Sequence, residues 1–155
     1  MSLAQGDAAP NFTLPTDGDG TVTLSDLKDG AVIVYFYPKD DTPGCTTEAL
    51  AFRDLQAQFA DAGARIIGIS KDSVKRHDKF KTKHDLNFTL ASDESGAACE
   101  AFGVWVEKNM YGRKYMGIER STFLIDKAGV VQEVWRKVRV KGHVEKVLDA
   151  AKALL

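Results

Sequence analysis

Residues 31–70 carry the clearest structural signal in the chain: AVIVYFYPKDDTPGCTTEALAFRDLQAQFADAGARIIGIS. Residues 31–37 form an unbroken apolar run rich in β-branched and aromatic side chains, the pattern of a strand buried on both faces. Residues 43–62 repeat apolar side chains at helical spacing and stop before a glycine, and residues 64–70 form a second buried run. Strand, helix and strand in this order predict a crossover with parallel pairing.

The sequence on either side extends this α/β pattern. Residues 11–14 and 21–24 predict short strands around a turn of Asp and Gly, which together make an N-terminal β-hairpin. After the crossover, the alternation continues with a helix over 73–84, a strand over 88–91 and a helix over 94–102. We therefore expect one layer of strands covered by helices.

The last third of the chain predicts a second hairpin and a closing helix. Residues 104–118 show no clear period and are expected to be irregular, whereas 121–126 and 130–135 predict two antiparallel strands. Residues 142–155 predict an amphipathic helix. The sum is an α/β fold, a three-layer α/β/α arrangement with a mixed central sheet and an N-terminal β-hairpin, formed as a single domain over residues 1–155.

Composition and charge exclude several classes of partner. The chain of 155 residues has 44% hydrophobic and 28% charged residues, a globular balance, and its net charge of −1 offers no footprint for nucleic acid or an anionic membrane. Two cysteines are too few for a disulfide framework. Because we find no leader pattern near the N-terminus and no run of membrane length, we expect a cytoplasmic protein.

The segment PKDDTPGC, residues 38–45, lies between the buried strand and the first helix, where α/β folds place their sites. Thr42 suits the N-cap, with a hydroxyl that can accept from a first-turn N–H and donate to a neighbouring sulfur, and Pro43 suits the first helical position. Cys45 then lies in the first turn, where the helix terminus stabilises a thiolate. The alternative is a small buried apolar residue, but the position at a helix N-terminus favours a reactive thiol.

These residues resemble a known family. Pro38-x-x-x-Thr42-x-x-Cys45 resembles the signature of the peroxiredoxins. The surrounding YFYPKDDTPGCTTEA and the later MYGRKYMGIERSTFLIDKAGVV are similar to the bacterioferritin-comigratory-protein subfamily, also called peroxiredoxin Q. The likeness runs over nearly the whole chain and implies a thioredoxin-like fold, a thiol peroxidase activity and no cofactor.

The resemblance also implies roles for individual residues. Cys45 would be the peroxidatic cysteine, which attacks hydrogen peroxide or an organic hydroperoxide and becomes a sulfenic acid. Thr42 would hydrogen-bond the sulfur and the peroxide, and Pro38 would shield the sulfur from solvent. Arg120 matches the active-site arginine and would stabilise the thiolate and the transition state, although a surface arginine at a strand end is the alternative. Glu48 is expected either to brace that arginine or to be a solvated acid.

The usual resolving cysteines of the subfamily are missing. One common position is Leu50 here, and the other falls at residues 80–83, which contain no cysteine. Cys99 is the remaining candidate, but a disulfide needs Cα atoms within about 7 Å, and a buried structural thiol is the simpler interpretation. We therefore expect a one-cysteine cycle completed by an external thiol, either glutathione with glutaredoxin or thioredoxin. An atypical two-cysteine cycle, with Cys99 resolving Cys45 and thioredoxin as the reductant, is the alternative.

Rival functions have weaker support. A disulfide oxidoreductase would need a Cys-x-x-Cys pair, but residues 45–48 read CTTE. A binding or chaperone module would not need Cys45 or Arg120. A metal site would need clustered ligands, and we expect His77, His84 and His143 to be solvated and no metal to be bound.

Two further expectations concern the substrate and the assembly. The aromatic and Met side chains of the irregular segment either line a pocket for an organic hydroperoxide or pack onto the core; they are Trp105, Met110, Tyr111, Tyr115 and Met116. Nothing in the sequence marks an interface, and the resemblance favours a monomer.

Overall fold

The computed structural model describes residues 3–154 and contains a seven-stranded mixed sheet. The strand order is β2-β1-β5-β4-β3-β8-β9, and β6 pairs with β7 in a separate two-stranded sheet. The strands are β1 (Thr13–Thr16), β2 (Gly20–Thr23), β3 (Ala31–Phe36), β4 (Ala64–Ser70), β5 (Thr89–Ser92), β6 (Trp105–Met110), β7 (Arg113–Ile118), β8 (Ser121–Ile125) and β9 (Val131–Trp135). The helices are α1 (Pro43–Asp61), α2 (Val74–His84), α3 (Ala97–Ala101) and α4 (His143–Ala153).

The crossover predicted over residues 31–70 is confirmed. β3 and β4 are parallel, with Ala31 opposite Ala64 and Phe36 opposite Ile69, and α1 connects them. β3 is also antiparallel to β8, so that Phe36, at the end of β3, lies opposite Ser121, the first residue of β8. The C-terminal end of β3 and the start of β8 therefore lie side by side at the same end of the sheet, where the chain continues into α1.

The two faces of the sheet carry separate hydrophobic clusters, and β3 shows the division. Ile33 and Tyr35 pack in one cluster with Phe52 of α1 and with α4, whereas Val34 and Phe36 pack in the other with side chains of α3. All these β3 side chains are buried, as expected for a strand covered on both faces. The alternation in β3 matters for the site because it separates what lies on one face from what lies on the other.

The N-terminal hairpin and the hairpin of β8 and β9 are confirmed, with bounds shifted by one or two residues. The prediction of an irregular segment over residues 104–118 is wrong, because β6 and β7 form an antiparallel hairpin there. Tyr111 and Gly112 make its two-residue turn with φ of +53° and +79°, the conformation that tight hairpins require. Most side chains on these strands are exposed, so the apolar–polar alternation that marks a strand is absent.

The C-terminal helix α4 begins after Gly142, as predicted, and its predicted end at Leu155 lies outside the described residues. None of the helices within residues 3–154 is both long and apolar enough to cross a membrane.

Candidate active site

Cys45 lies in the first turn of α1. Thr42 is the N-cap residue with an extended backbone, and the amide of Thr46 donates to the Thr42 carbonyl at 2.8 Å. Cys45 is only 2% exposed. Its sulfur is therefore buried near the end of a helix whose first N–H groups have no intrahelical partner, which is the electropositive environment that favours a thiolate.

The Thr42 hydroxyl does not cap the helix, and this expectation is wrong. The Thr42 O–H donates to the carbonyl of Lys39 at 2.9 Å, and its oxygen accepts from no amide of the first turn. The turn through Asp41, with φ of +61°, brings that carbonyl within reach of the hydroxyl. Because a hydroxyl has one proton, Thr42 in this conformation can accept a further hydrogen bond but cannot donate one to the sulfur.

Arg120 contacts the sulfur directly. Its Nη2 lies 3.3 Å from Sγ of Cys45, and its Nη1 donates to Oε1 of Glu48 at 2.7 Å. Arg120 immediately precedes β8, and the antiparallel pairing of β8 with β3 carries it to the loop that leads into α1. Gly44 leaves room for the guanidinium, because a Cβ on Gly44 would stand 3.2 Å from Nη2.

Glu48 holds the other side of the guanidinium and is not a solvated acid. The side chain is 0% exposed, and among residues 3–154 nothing hydrogen-bonds to its Oε2. Burial raises the pKa of Glu48 to about 7, even though the neighbouring Arg120 acts to lower it. Near neutral pH, this carboxyl therefore exchanges between a neutral form and a charged form that pairs fully with Arg120.

Tyr35 belongs to the same buried cluster as Cys45, a position that the sequence indicated only as core. Its ring stacks on Phe52 with 4.5 Å between centroids, and within the described chain its hydroxyl has no hydrogen-bond partner. Burial raises the pKa of Tyr35, and the nearby Glu48 and Cys45 raise it further. A Cβ at Gly68 would stand 2.9 Å from the Tyr35 ring, so the glycine of β4 makes space for this side chain.

A buried polar chain fixes the loop between β3 and α1. The hydroxyl of Tyr37 donates to Oδ1 of Asp40, whose Oδ2 lies 2.6 Å from Nδ1 of His77, and Nε2 of His77 lies 3.0 Å from the Ala91 carbonyl. Because a carbonyl only accepts, Nε2 carries a proton. Burial acts to lower the pKa of His77, but the hydrogen bond and charge of Asp40 outweigh it and raise that pKa. These hydrogen bonds connect the loop before Cys45 to both α2 and β5.

The expectation that all three histidines are solvated is wrong for two of them. His77 is fully buried, and His143 is 5% exposed with its Nε2 2.8 Å from the Thr122 hydroxyl. Burial lowers the pKa of His143 to about 4. His84 contacts Asp41 at the surface. Helical position alone could not reveal this burial, because α2 and α4 both press one face against the sheet. Within residues 3–154 no group of three or more His, Cys, Asp or Glu side chains could hold a metal ion.

Pro38 and Cys99 are the remaining predicted site residues. Pro38 is exposed at the start of the loop. Cys99 is 0% exposed on α3, in the cluster on the opposite face of the sheet from Cys45, and its amide donates to Asp93 at 2.8 Å. Burial raises the pKa of the Cys99 thiol. The structure therefore brings Cys45 and Arg120 together and leaves Cys99 across the sheet.

The aromatic and Met side chains of the β6–β7 hairpin follow neither expectation as a group. Trp105 packs partly against the core, and Tyr115 lines a groove beside Arg120. Tyr115 is nevertheless 41% exposed, and Met110, Tyr111 and Met116 are exposed as well.

Comparison of the sequence with known proteins identifies its family. The AhpC/TSA family profile matches residues 5–134. The chain is 52% identical to peroxiredoxin Bcp of Bacillus subtilis over 152 residues, which cover 98% of this chain and 97% of that protein. It is 44% identical to peroxiredoxin Bcp of Escherichia coli K12 over 147 residues, which cover 95% and 94%.

Solved structures agree in fold over nearly the whole chain. A Xanthomonas campestris bacterioferritin comigratory protein, studied for alkyl peroxide reduction, superposes with a TM-score of 0.91 at 47% identity and covers 99% of this chain and 98% of that one. A peroxiredoxin Q variant from Xylella fastidiosa superposes with a TM-score of 0.93 at 44% identity, with the same coverage. The thioredoxin-like α/β fold expected from the resemblance is thereby confirmed. This chain belongs to the AhpC/TSA family and, within it, to the Bcp or peroxiredoxin Q group of peroxiredoxins.

Proposed function

We propose that the protein is a thiol peroxidase that reduces hydrogen peroxide and organic hydroperoxides with Cys45 as the nucleophile. The observation that carries the proposal is the 3.3 Å contact between Nη2 of Arg120 and the buried Sγ of Cys45 at the start of α1. A guanidinium and a helix N-terminus on one sulfur favour the thiolate, which is the form that attacks peroxides.

The reaction is an in-line displacement. The thiolate of Cys45 attacks one peroxide oxygen, so that an S–O bond forms as the O–O bond breaks and the electron pair leaves with the second oxygen. That oxygen takes up a proton and departs as water or an alcohol, and Cys45 is left as a sulfenic acid. Negative charge moves from sulfur to the departing oxygen, and Arg120 lies where it can stabilise both positions.

The other proposed roles follow from hydrogen-bond capacity. Glu48 orients Arg120 through its 2.7 Å bond to Nη1. Thr42 uses its proton on Lys39 and therefore accepts a hydrogen bond from the peroxide, rather than donating one. Pro38 is proposed, on the resemblance alone, to limit solvent access to the sulfur.

We propose a one-cysteine cycle for the return to the thiol. An external thiol attacks the sulfenic acid, which releases water and forms a mixed disulfide, and a second thiol then frees Cys45. The burial of Cys99 on the opposite face of the sheet supports this cycle, since a disulfide with Cys45 would require one of the two helices to leave its place. Such a cycle needs abundant thiol reductants, so we propose a reducing compartment, the cytoplasm, and either thioredoxin or glutathione with glutaredoxin as donor.

Intact mass spectrometry tests both parts of this proposal. Reduced protein is treated with one equivalent of hydrogen peroxide, with and without dimedone, alongside the Cys45→Ser and Cys99→Ser variants. We expect a dimedone adduct on Cys45 that persists in Cys99→Ser and is absent from Cys45→Ser. Loss of two hydrogens that maps to a Cys45–Cys99 disulfide would establish the two-cysteine alternative, and no reaction of the wild-type protein would refute the peroxidase.

Assembly and reductant have separate measurements. We propose a monomer, which sedimentation of the reduced protein checks. Coupled turnover with thioredoxin and its reductase, compared with glutathione, glutaredoxin and glutathione reductase, identifies the donor.

A further inference from the structure

A groove runs along the surface beside the active site, between the β6–β7 hairpin and the loop that follows β9. Its volume is about 450 Å³, within the usual range for small-molecule sites. Arg120 lies in this groove and also contacts Sγ of Cys45, so one side chain belongs both to the groove and to the site around the sulfur. The amide of Val138 donates to the Arg120 carbonyl at 3.0 Å, which fastens the wall formed by the loop.

The walls of the groove are apolar and cationic. Its lining includes the apolar side chains of Val106, Tyr115 and Val138. It also includes two lysines, Lys108 of the hairpin and Lys137 of the loop. The stem of Lys108 is packed, since its Cδ lies 3.3 Å from where a Cβ on Gly117 would stand. The side chain of Lys108 is therefore half-buried, with its stem packed against the hairpin.

The acidic residues of the groove are already paired with other cations. Glu107 lies 3.7 Å from Lys114, and Glu119 lies 4.0 Å from Arg136. Within residues 3–154, neither Lys108 nor Lys137 has a carboxylate within 4.0 Å. Burial lowers the pKa of Lys108 and so does the neighbouring Arg120, whereas Cys45 and Glu119 act to raise it.

We propose that this groove is a subsite for the carboxylate of an anionic organic hydroperoxide, and that Lys108, assisted by Lys137, is its specificity-determining residue. The proposal rests on the peroxidase function proposed above. The carbon chain lies between Val106, Tyr115 and Val138, and the peroxide end reaches Cys45 and Arg120. A carboxylate at Lys108 would form an ion pair with an ammonium that has no carboxylate within 4.0 Å among residues 3–154. An uncharged hydroperoxide cannot form this ion pair.

The test compares two substrates that differ only in charge. The kcat/KM is measured for a long-chain hydroperoxide with a free carboxylate and for its methyl ester, in the wild-type enzyme and in Lys108→Gln. We expect the acid-to-ester ratio to fall by about three- to tenfold in Lys108→Gln, the range for loss of one partly exposed ion pair. Since the ratio divides out any general effect on Cys45, it reports the carboxylate contact alone.

Lys152→Gln is the control, because Lys152 is exposed on α4 and does not line the groove. It should keep the wild-type ratio, and the wild-type ratio should fall as ionic strength rises. An unchanged ratio in Lys108→Gln, or an equal fall in Lys152→Gln, would overturn the subsite while hydrogen peroxide turnover stands. Absence of hydrogen peroxide turnover in the wild-type enzyme would instead overturn the proposed function, and the subsite with it.

Discussion

Replacing Glu48 by Gln should make the protein more stable at alkaline pH and change its stability little near pH 5. Glu48 is fully buried, and the amide of Gln keeps an oxygen that can accept from Arg120. What the substitution removes is the ability to ionise. Because burial favours the neutral form, the cost of placing a charged Glu48 in the folded protein appears only at higher pH.

The size of the effect follows from the pKa. Burial raises the pKa of Glu48 from 4.5 to about 7. Between these two values the folded state binds more protons than the unfolded state, so the free energy of unfolding falls as pH rises. The full difference corresponds to about 3 kcal/mol at pH 8.5, and to about 1 kcal/mol or less at pH 5. Glu48→Gln should recover this amount at pH 8.5.

Urea unfolding at pH 5.0 and 8.5 measures the effect. The protein with Glu48 and the Glu48→Gln variant are both studied in the Cys45→Ser background, so that ionisation and oxidation of the thiol do not contribute. Glu133→Gln, on the exposed side of β9, provides the control and should show no pH-dependent gain. If the gain from Glu48→Gln is the same at the two pH values, the account of Glu48 as a buried acid with a raised pKa is refuted.

Three further predictions test the contacts around the sulfur. Arg120→Ala should slow sulfenic acid formation by about 10²–10³-fold in stopped-flow measurements with hydrogen peroxide, whereas Arg53→Ala should not; equal rates would remove Arg120 from the chemistry. Gly44→Ala should slow the same step by about three- to tenfold, because its Cβ would stand 3.2 Å from Nη2 of that arginine; an unchanged rate would show that the guanidinium adjusts freely. Tyr37→Phe should lower the free energy of unfolding by about 1–3 kcal/mol, because it removes a donor to a buried carboxylate; a change within error in urea unfolding would contradict this account of the polar chain.

The sequence was informative about the fold where burial leaves a strong pattern. β3 is covered on both faces, so its run of apolar side chains is unbroken, and α1 ends at Asp61, where Gly63 with φ of +73° follows. The β6–β7 hairpin escaped prediction for the opposite reason. Its strands are mostly exposed, and the signal that could have identified it was the turn at Tyr111 and Gly112.

For the site, the sequence indicated residue types but not their contacts. Cys45 and Arg120 are 75 positions apart in the sequence, and the pairing of Phe36 with Ser121, which no local pattern contains, brings them together. The resemblance supplied that proximity. The direction of the Thr42 hydroxyl could not be predicted, since it depends on one positive φ in the loop.

The ionisation of Glu48 and that of His143 have opposite effects on how the free energy of unfolding changes with pH. The pKa of buried His143 is lowered from 6.5 to about 4, so its contribution to stability is lost as pH falls through that window and is complete above it. Glu48 contributes in the other sense, since its cost grows from pH 4.5 to about 7. As pH rises between about 4 and 7, the two groups therefore change the free energy of unfolding in opposite directions. The charged form of Glu48, which pairs most strongly with Arg120, is thus the form that costs stability, as expected if Glu48 serves the proposed chemistry.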